Sequence, residues 1–460
     1  MGEKSDRAGD GAAVLTRLSE LPGGHELLEE AAARDDVELV GGAVRDLLLG
    51  RSPRELDVVV GNEGAGFGGE AMLFAQRLSS NLNASVDVDV AAGDTDTPPG
   101  TSSHERFGTA LVVWSGGQID VATRRAESYA APGALPDVRA GTEQEDLERR
   151  DFTVNAIAVR LGGDRRGELR AVPDALADLE ARRLRVLHEQ SFIDDPTRLL
   201  RLARYVARLG FEIEPHTAAL SVQAVSQGAL STVSGARIGA ELRLALAEPD
   251  ALVALAAMEE LGLFKALHQR LRFDERLARA ALGELFAGDR DERSESPPVE
   301  PALAGRLLLA TLLQPMLYGL EDGAESAAVE LLNALEFPAA DRDLVLMAAI
   351  CAEAVADELA CAEEPSEVYE AVAHVSLEGV ALASAWAEQE WKWSDAPIAA
   401  QMWLRKLRHV HLRITGDDLI AAGIPEGPEI GRRLKETLCL RLDGKLEDGR
   451  EAELAAALEA

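Results

Sequence analysis

Two glycines and two carboxylates near the start of the chain have a spacing that suits phosphate chemistry. Residues 39–60 read LVGGAVRDLLLGRSPRELDVVV, with Gly41 and Gly42 after one apolar run and Glu55 and Asp57 at the start of another. Glycines lack a Cβ, so backbone N–H groups beside them can approach a phosphate closely. Side chains two apart on a strand share one face, so Glu55 and Asp57 should point the same way. Paired carboxylates beside a phosphate cradle are typical of Mg²⁺-dependent phosphoryl transfer.

Two further motifs could act together with this segment. Residues 118–125 read QIDVATRR, and Asp120 alternates there with apolar neighbours. On a neighbouring strand Asp120 would complete a metal cluster, but the same pattern also fits a solvent-facing residue on an edge strand. Residues 148–156 read ERRDFTVNA, in which arginine suits phosphate and Asp151 suits ribose hydroxyls. An exposed helix end would explain the second motif equally well.

The last motif of this kind is DDPTRLLRLARY at residues 194–205. Pro196 suits the first position of a helix, and Asp195 is then its N-cap. Three arginines recur at every third position, namely Arg198, Arg201 and Arg204. A capped helix alone does not explain them, because the helix dipole disfavours cations near the N-terminus. An Asp and an Arg on one helical turn can present an acceptor and a donor to the edge of a base.

The elements that must position these motifs change character at about residue 160. Before it, strand-like runs alternate with a helix and favour an α/β arrangement; the runs are 37–40, 57–60, 84–90, 109–114, 119–122 and 154–159, and the helix is 70–81. After it, Ala/Leu/Glu/Arg-rich helices dominate. Residues 91–103 are turn-rich, 289–301 are the best linker candidate, and 130–143 could be either an ordered surface loop or a mobile flap.

Composition limits the classes of protein that fit. The 460 residues carry a formal charge of −33, which argues against general nucleic-acid binding, yet short arginine clusters recur along the chain. No run of about 18 apolar residues is present, and the N-terminal residues lack the apolar core of a secretory signal. The three cysteines have no metal-ligand spacing, which favours a reduced, cytoplasmic setting.

The order and spacing of these motifs resemble the class II tRNA nucleotidyltransferase/bacterial poly(A) polymerase family. The resemblance is carried by GGAVRD, the two spaced carboxylates, DVAT, ERRDFTVNA and DDPTRLLRLARYVARLGFE, and residues 414–434 resemble the family's C-terminal segment. It implies an α+β fold: a small polymerase-β-like head with a mixed sheet, then an all-helical neck, body and tail. The boundaries expected are a disordered N-terminal segment at 1–24, the head at 25–162, the neck at 163–246, and a tRNA-binding body and tail at 247–460.

The resemblance also implies roles for individual residues. Glu55 and Asp57 would bind two Mg²⁺ ions, with Asp120 as a further catalytic carboxylate. The nucleotide would be bound by residues of all the motifs, namely Gly41, Gly42, Arg45, Asp46, Arg150, Asp151, Asn155, Asp195, Arg198, Arg201 and Arg204. Within this set Asp195 and Arg198 would read the Watson–Crick edge of the incoming base. The expected partners are tRNA, CTP and ATP, without a membrane or DNA.

The function implied is template-independent addition or repair of the CCA end of tRNA, with release of pyrophosphate. Alternatives within the family are addition of CC only, of A only, or of a poly(A) tail. An alternative of another class is a catalytically weak RNA-binding homologue, because Glu55 stands where the family usually has Asp, and the longer side chain could displace a metal ion.

Overall fold

The computed structural model of the chain describes residues 2–62, 67–82, 84–87, 108–287, 301–317, 323–391 and 394–460. The chain divides into two compact units, Met1–Glu241 with Glu260–Ala266 and Leu242–Glu259 with Leu267–Ala460. The predicted loop at 91–103 and the predicted linker at 289–301 fall outside the described residues, apart from residue 301. The boundaries expected at residues 24, 162 and 246 stay predictions.

A seven-stranded mixed sheet forms the centre of the first unit, in the order β3-β4-β5-β2-β1-β8-β9. The strands of the unit are β1 (Val37–Val40), β2 (Leu56–Val60), β3 (Ser85–Asp87), β4 (Thr109–Trp114), β5 (Gly117–Thr123), β6 (Arg125–Ser128), β7 (Asp137–Ala140), β8 (Ile157–Arg160), β9 (Leu169–Ala171), β10 (Arg183–Leu184) and β11 (Glu212–Ile213). Within the sheet β2 and β5 are parallel and the other neighbours are antiparallel. β6 pairs with β7, and β10 with β11, in two small separate sheets.

Helices of the first unit cover the sheet and continue beyond it. They are α1 (Gly2–Ser19), α2 (Gly24–Ala31), α3 (Gly42–Leu48), α4 (Gly69–Leu82), α5 (Glu143–Glu148), α6 (Ala175–Glu180), α7 (Ser191–Asp194), α8 (Thr197–Leu209) and α9 (Pro215–Ser226). α4 packs on β4 and β5, and α3 packs on β1 and β8. Three helices lie where the chain passes between the units, namely α10 (Gly235–Leu246), α11 (Ala251–Glu260) and α12 (Leu263–Leu267).

The second unit is helical throughout its described residues. Its remaining helices are α13 (Glu275–Ala287), α14 (Pro301–Leu317), α15 (Ala324–Ala334), α16 (Ala339–Cys361), α17 (Pro365–Ala371), α18 (Leu377–Glu390), α19 (Ala396–Arg405), α20 (Gly416–Ala421), α21 (Pro428–Leu442) and α22 (Arg450–Glu459). α18 is buried from Glu378 to Ala387 and packs closely on α16. A small apolar cluster of Ile414, Leu419 and Ala457 organises the last helices. Among the described helices, none combines the length and the apolar character that crossing a bilayer requires.

The predicted fold class, a mixed-sheet head followed by helices, is confirmed. The N-terminal segment differs from the expectation, because residues 2–19 form α1 rather than a disordered tail. Val14 and Leu18 lie one turn apart on that helix and are fully buried, and this apolar contact offsets the weak helix propensity of a Gly-rich, charged segment. The strand predicted at 154–159 also begins later, at Ile157, because Thr153–Asn155 forms a 3₁₀ turn.

Candidate active site

Three carboxylates converge at one end of the β2–β5 pair. Asp57 on β2 and Asp120 on β5 are register partners in the parallel ladder, and Glu55 lies just before β2. One oxygen from each of the three lies within 4.8 Å of the others. Glu55 is exposed, whereas Asp57 and Asp120 are half-buried. The structure therefore brings together the three carboxylates that the sequence analysis singled out.

The electrostatics of this cluster favour a bound cation. Burial, and then the charges of Asp57 and Glu55, raise the pKa of Asp120 to about 6. Burial also raises the pKa of Asp57, against the opposing charge of Arg150. Carboxylates held this closely repel one another, and a divalent ion with oxygen ligands would relieve the repulsion. The donor set and its separation fit Mg²⁺ or a similar hard cation.

Gly41 allows a close approach of backbone and side chains next to the carboxylates. Its φ is +69° and its ψ is −136°, a conformation that side chains with a Cβ strain to adopt. A Cβ at Gly41 would also lie 2.7 Å from Nη1 of Arg150. The Gly41-Gly42 turn therefore keeps the Arg150 guanidinium against the backbone at the start of α3.

A polar cavity of about 310 Å³ connects the glycines with the later motifs. Its lining includes nine residues from the sequence-predicted set, namely Gly41, Gly42, Asp57, Arg150, Asp151, Asn155, Asp195, Arg198 and Arg201. The five predicted site residues that do not line it are Arg45, Asp46, Glu55, Asp120 and Arg204. The volume is at the lower end of the range that small-molecule sites occupy, and nearly all of its wall is polar.

Asp151 connects two elements of the cavity wall. Its Oδ1 accepts from the Phe152 N–H and from Asn155 Nδ2, and its Oδ2 accepts from Nε and Nη2 of Arg201 at 3.0 and 2.6 Å. Although burial opposes ionisation, Arg201 and the Asn155 hydrogen bond hold the pKa of Asp151 at about 2. Each oxygen already accepts two hydrogen bonds, so the ribose contact predicted for Asp151 would add a third donor to one oxygen or displace one of these donors.

Arg45 and Asp46 lie on α3, the helix that begins at the glycine turn. Arg45 is almost completely buried, and it donates from Nη1 to Asn155 Oδ1 at 2.5 Å and from Nε to Asp46 Oδ1 at 2.8 Å. Arg204 is also buried and pairs with Glu241 at 3.0 Å. These contacts give Arg45 and Arg204 partners inside the protein, and the phosphate or RNA contact predicted for Arg204 stays a prediction.

The base-reading candidates are fixed at the start of α8. The helix begins at Thr197, one residue later than predicted, and Asp195 Oδ1 accepts from the Thr197 N–H at 3.1 Å and from its Oγ1 at 2.6 Å. Arg198 is buried; it donates to Ser191 Oγ at 2.7 Å and to the Arg149 carbonyl at 2.9 Å. Both side chains contribute to the cavity wall.

Five lining residues were not among the predicted site residues, namely Arg125, Glu127, Tyr129, Arg149 and Tyr205. Three of them follow one another at every second position on and after β6, so the spacing of R-x-E-x-Y was a usable signal for one face of a strand. Arg149 donates to Glu127 at 3.1 Å and to Asp146 at 3.0 Å. The segment 130–143, which could have been a loop or a flap, includes β7 and its pairing with β6.

Comparisons with known proteins agree with this geometry. Residues 37–185 match the family described as the poly A polymerase head domain, and residues 210–273 match the probable RNA- and SrmB-binding site of polymerase A. The CC-adding tRNA nucleotidyltransferase of Deinococcus radiodurans is 30% identical over 435 residues, which cover 94% of this chain and 91% of that protein. The A-adding tRNA nucleotidyltransferase of Geobacter sulfurreducens is 31% identical over 428 residues, which cover 89% of this chain.

The chain thus belongs to the tRNA nucleotidyltransferase/poly(A) polymerase family. It covers 44% of the Geobacter sulfurreducens protein's length and 51% of that of the A-adding relative from Halalkalibacterium halodurans. Among solved structures, the Thermotoga maritima CCA-adding enzyme complexed with tRNA aligns with a TM-score of 0.71 and 26% identity, covering 97% of this chain and 98% of that one. A CCA-adding enzyme in complex with CTP aligns with a TM-score of 0.69 and 27% identity, covering 98% of both chains.

Proposed function

We propose that this protein transfers nucleotides from CTP and ATP to the 3′ end of tRNA and so builds or repairs its CCA end. The observation that carries the proposal is one continuous site, in which the carboxylate cluster adjoins a polar cavity whose wall includes the Gly41-Gly42 turn and the Asp195–Arg198 pair. In the reaction the RNA 3′-oxygen bonds to the α-phosphorus of the nucleotide, the α–β anhydride bond breaks, and pyrophosphate leaves.

The carboxylate cluster would hold two Mg²⁺ ions through Glu55 and Asp57, with Asp120 as a further carboxylate. Bound ions of this kind would activate the RNA hydroxyl and neutralise charge on the leaving pyrophosphate. The protein's own contribution is to hold Asp57 and Asp120 on adjacent strands, so that their spacing is set by the sheet rather than by a loop. Gly41, Gly42 and Arg150, which line the cavity together with Asp57, would receive the triphosphate.

Nucleotide choice would rest on Asp195 and Arg198. Cytosine and adenine both present an amino donor beside a ring-nitrogen acceptor on the Watson–Crick edge, whereas uracil and guanine present a carbonyl acceptor beside an N–H donor. A carboxylate acceptor next to a guanidinium donor matches the first pair and opposes the second. The fixed acceptor on Asp195 and the buried donor on Arg198 are therefore suited to CTP and ATP together.

The RNA substrate would be held largely by the helical residues. The match of residues 210–273 to an RNA-binding region supports this, as does the likeness of almost the whole chain to an enzyme solved with tRNA. Local arginine patches would contact phosphates although the total charge is −33.

A second candidate is a split activity, in which the protein adds only CC or only A. It is favoured by the names of the relatives, since full-length similarity extends to a CC-adding protein and substantial similarity to two A-adding ones. A third candidate is an RNA-binding homologue with a weakened metal site, which the extra methylene of Glu55 would explain.

An extension assay separates these candidates. Purified protein and Mg²⁺ are given tRNA transcripts that end before CCA, after C and after CC, each with CTP, with ATP and with both. Extension to CCA followed by arrest supports the proposal, whereas arrest at CC, or addition of A to the CC end alone, supports a split activity. Continued addition of A indicates a poly(A) polymerase. Bound tRNA without incorporation on any transcript contradicts nucleotidyl transfer.

A further inference from the structure

Arg237 on α10 contacts the base-reading corner of the cavity from outside the predicted motifs. Its Nη2 donates to Asp195 Oδ1 at 2.8 Å, and its Nη1 donates to the Gly133 carbonyl at 2.9 Å. One planar guanidinium therefore connects a side chain at the start of α8 with the backbone of the β6–β7 loop. Arg237 does not line the cavity itself, and so it can act on a bound nucleotide only through these two partners.

The Arg237 contact contributes to the choice of which oxygen of Asp195 is free. Oδ1 accepts three hydrogen bonds, two from Thr197 and one from Arg237. Within the part of the chain that the structure describes, no hydrogen bond uses Oδ2. An aspartate carboxyl otherwise turns easily about its last torsion, but three donors on one oxygen resist that rotation. Oδ2 is thereby kept as the acceptor available to a ligand in the cavity.

Gly133 brings the β6–β7 loop to the same point. Its N–H donates to the carbonyls of Ile193 and Asp194, both at 3.2 Å, and its carbonyl accepts from Arg237. Its φ is +70°, and a Cβ at this position would lie 2.2 Å from Thr232 Oγ1. The loop is therefore in close contact with its surroundings at a residue where only glycine fits. Tyr129, which lines the cavity, lies four residues before it.

We propose that Arg237 is a positioning residue for base selection, which orients Asp195 and joins the β6–β7 loop to it. This inference rests on the proposed function, since it assumes that Asp195 accepts a hydrogen bond from the amino group of cytosine or adenine. When Arg237 is lost, Asp195 keeps only the two Thr197 donors, both from one residue, and its carboxyl can turn more easily. A turned carboxyl opposes uracil and guanine less strongly, because their carbonyls are no longer held against a fixed acceptor.

The experiment measures selectivity rather than activity alone. For Arg237→Gln we expect the ratio of kcat/KM for CTP over UTP, and for ATP over GTP, to fall about tenfold, which is within the range that one oriented polar contact contributes to discrimination. The matched control is Arg185→Gln. Arg185 donates through Nε and Nη2 to buried Asp178 at 2.8 and 3.1 Å in the same unit, but neither residue lines the cavity. The control should lower the melting temperature and leave both ratios within twofold of wild type.

A milder variant covers the case in which Arg237→Gln fails to fold. Arg237→Lys keeps the charge but loses the planar fork, and it should lower the ratios at least threefold. Folded variants with unchanged ratios overturn the role of Arg237. An equal loss of selectivity in the Arg185 control overturns it as well, because the effect would then be a general consequence of destabilisation. If wild type itself incorporates no nucleotide, the proposed function fails, and the variants are not needed to show it.

Discussion

Asp57 and Asp120 are register partners on two parallel strands that are far apart in the sequence. The pairing gives each carboxylate a neighbour of the same charge in a half-buried position, and Glu55 adds a third. The cluster is therefore unfavourable without a cation and favourable with one. The same arrangement that makes the site suitable for phosphoryl transfer should make it a measurable weak point in the metal-free protein.

The first prediction concerns Asp120 in the absence of divalent ions. The pKa of Asp120 is raised to about 6 in the folded protein, so the folded state holds this proton more tightly than the unfolded state. The stabilisation that comes from protonated Asp120 is therefore fully present below about pH 4, and it is lost as the pH rises through 6. In EDTA at pH 7.5, Asp120→Asn should raise the free energy of unfolding by roughly 1 kcal/mol once solvent screening is allowed for, and should raise the melting temperature accordingly. The gain should shrink towards pH 4.

Calorimetry with and without Mg²⁺ tests the origin of this gain. In Mg²⁺ the wild type should recover stability that Asp120→Asn cannot. The difference between the two melting temperatures should therefore become smaller or change sign. A variant that is equally stabilised at pH 4 and pH 7.5 would show that the repulsion between carboxylates is not the cause.

The second prediction separates the two carboxylates of residues 55 and 57. Asp57→Ala should abolish incorporation of CTP and ATP without loss of the fold, and in EDTA at pH 7.5 it should melt no earlier than wild type, because it also removes the repulsion between Asp57 and Asp120. Glu55→Asp should keep or raise activity, since the shorter side chain is the usual one in the family. Incorporation of labelled nucleotide into tRNA measures both. Normal turnover by Asp57→Ala would remove the metal assignment, and inactivity of Glu55→Asp would show that the site has adapted to Glu.

The third prediction uses two glycines of similar φ that border the same helix. Gly41 precedes α3 with a φ of +69°, and a Cβ there would meet Arg150; Gly50 follows the helix with a φ of +73° and open space around it. Gly50→Ala should cost only about 1 kcal/mol of backbone strain. Gly41→Ala should in addition displace Arg150 and raise KM for the nucleotide at least tenfold. Steady-state kinetics and thermal melting compare the two, and an equal KM would mean that the Gly41 turn does not receive the triphosphate.

The sequence predicted the parts of the site that depend on local spacing. The shared face of Glu55 and Asp57 follows from the two-residue period of a strand. The sequence also predicted that Asp195 lies at the start of α8, although the N-cap is Pro196 rather than Asp195. Placing Asp120 beside Glu55 and Asp57 requires pairing between two distant segments of the chain. The sequence could therefore predict this position only as one of two interpretations. The family resemblance, rather than periodicity, made the cluster the better reading.

Contacts between charged residues that are far apart in the chain could not be predicted from local spacing. Nothing in the local pattern indicates that Arg201 pairs with Asp151, fifty residues away, or that Arg237 reaches Asp195. An arginine that points to solvent and one that points to a buried carboxylate look alike in sequence, because the difference lies in which elements pack beside it. The R-x-E-x-Y spacing of β6 indicates that the three side chains share one face of a strand. Whether that face lines the cavity depends on where the strand packs, which the spacing does not indicate.

The last prediction concerns Asp146, which holds two arginines of the cavity. Its Oδ1 accepts from Arg149 Nε at 3.0 Å and its Oδ2 from Arg150 Nη2 at 3.1 Å. Although burial opposes ionisation, these two guanidinium groups hold the pKa of Asp146 at about 2. Asp146→Asn turns one acceptor into a donor that faces an arginine, so it should cost about 3–5 kcal/mol of stability. It should also raise KM for the nucleotide at least tenfold, with a smaller change in kcat, because Asp146 does not line the cavity and contacts its wall through Arg149, Arg150 and the Arg125 N–H.

Asp178→Asn is the matched control for that change. Asp178 is equally buried and accepts from Thr153 and Arg185, but it lies outside the cavity wall. Both variants should melt earlier than wild type, and kinetics are therefore measured well below either transition. A tenfold rise in KM for Asp146→Asn alone would identify Arg149 and Arg150 as nucleotide ligands that need their carboxylate for orientation. The same rise in both variants would instead indicate a general loosening of the first unit, because both substitutions remove a buried charge, which holds Arg149 and Arg150 in one case and Arg185 and Thr153 in the other.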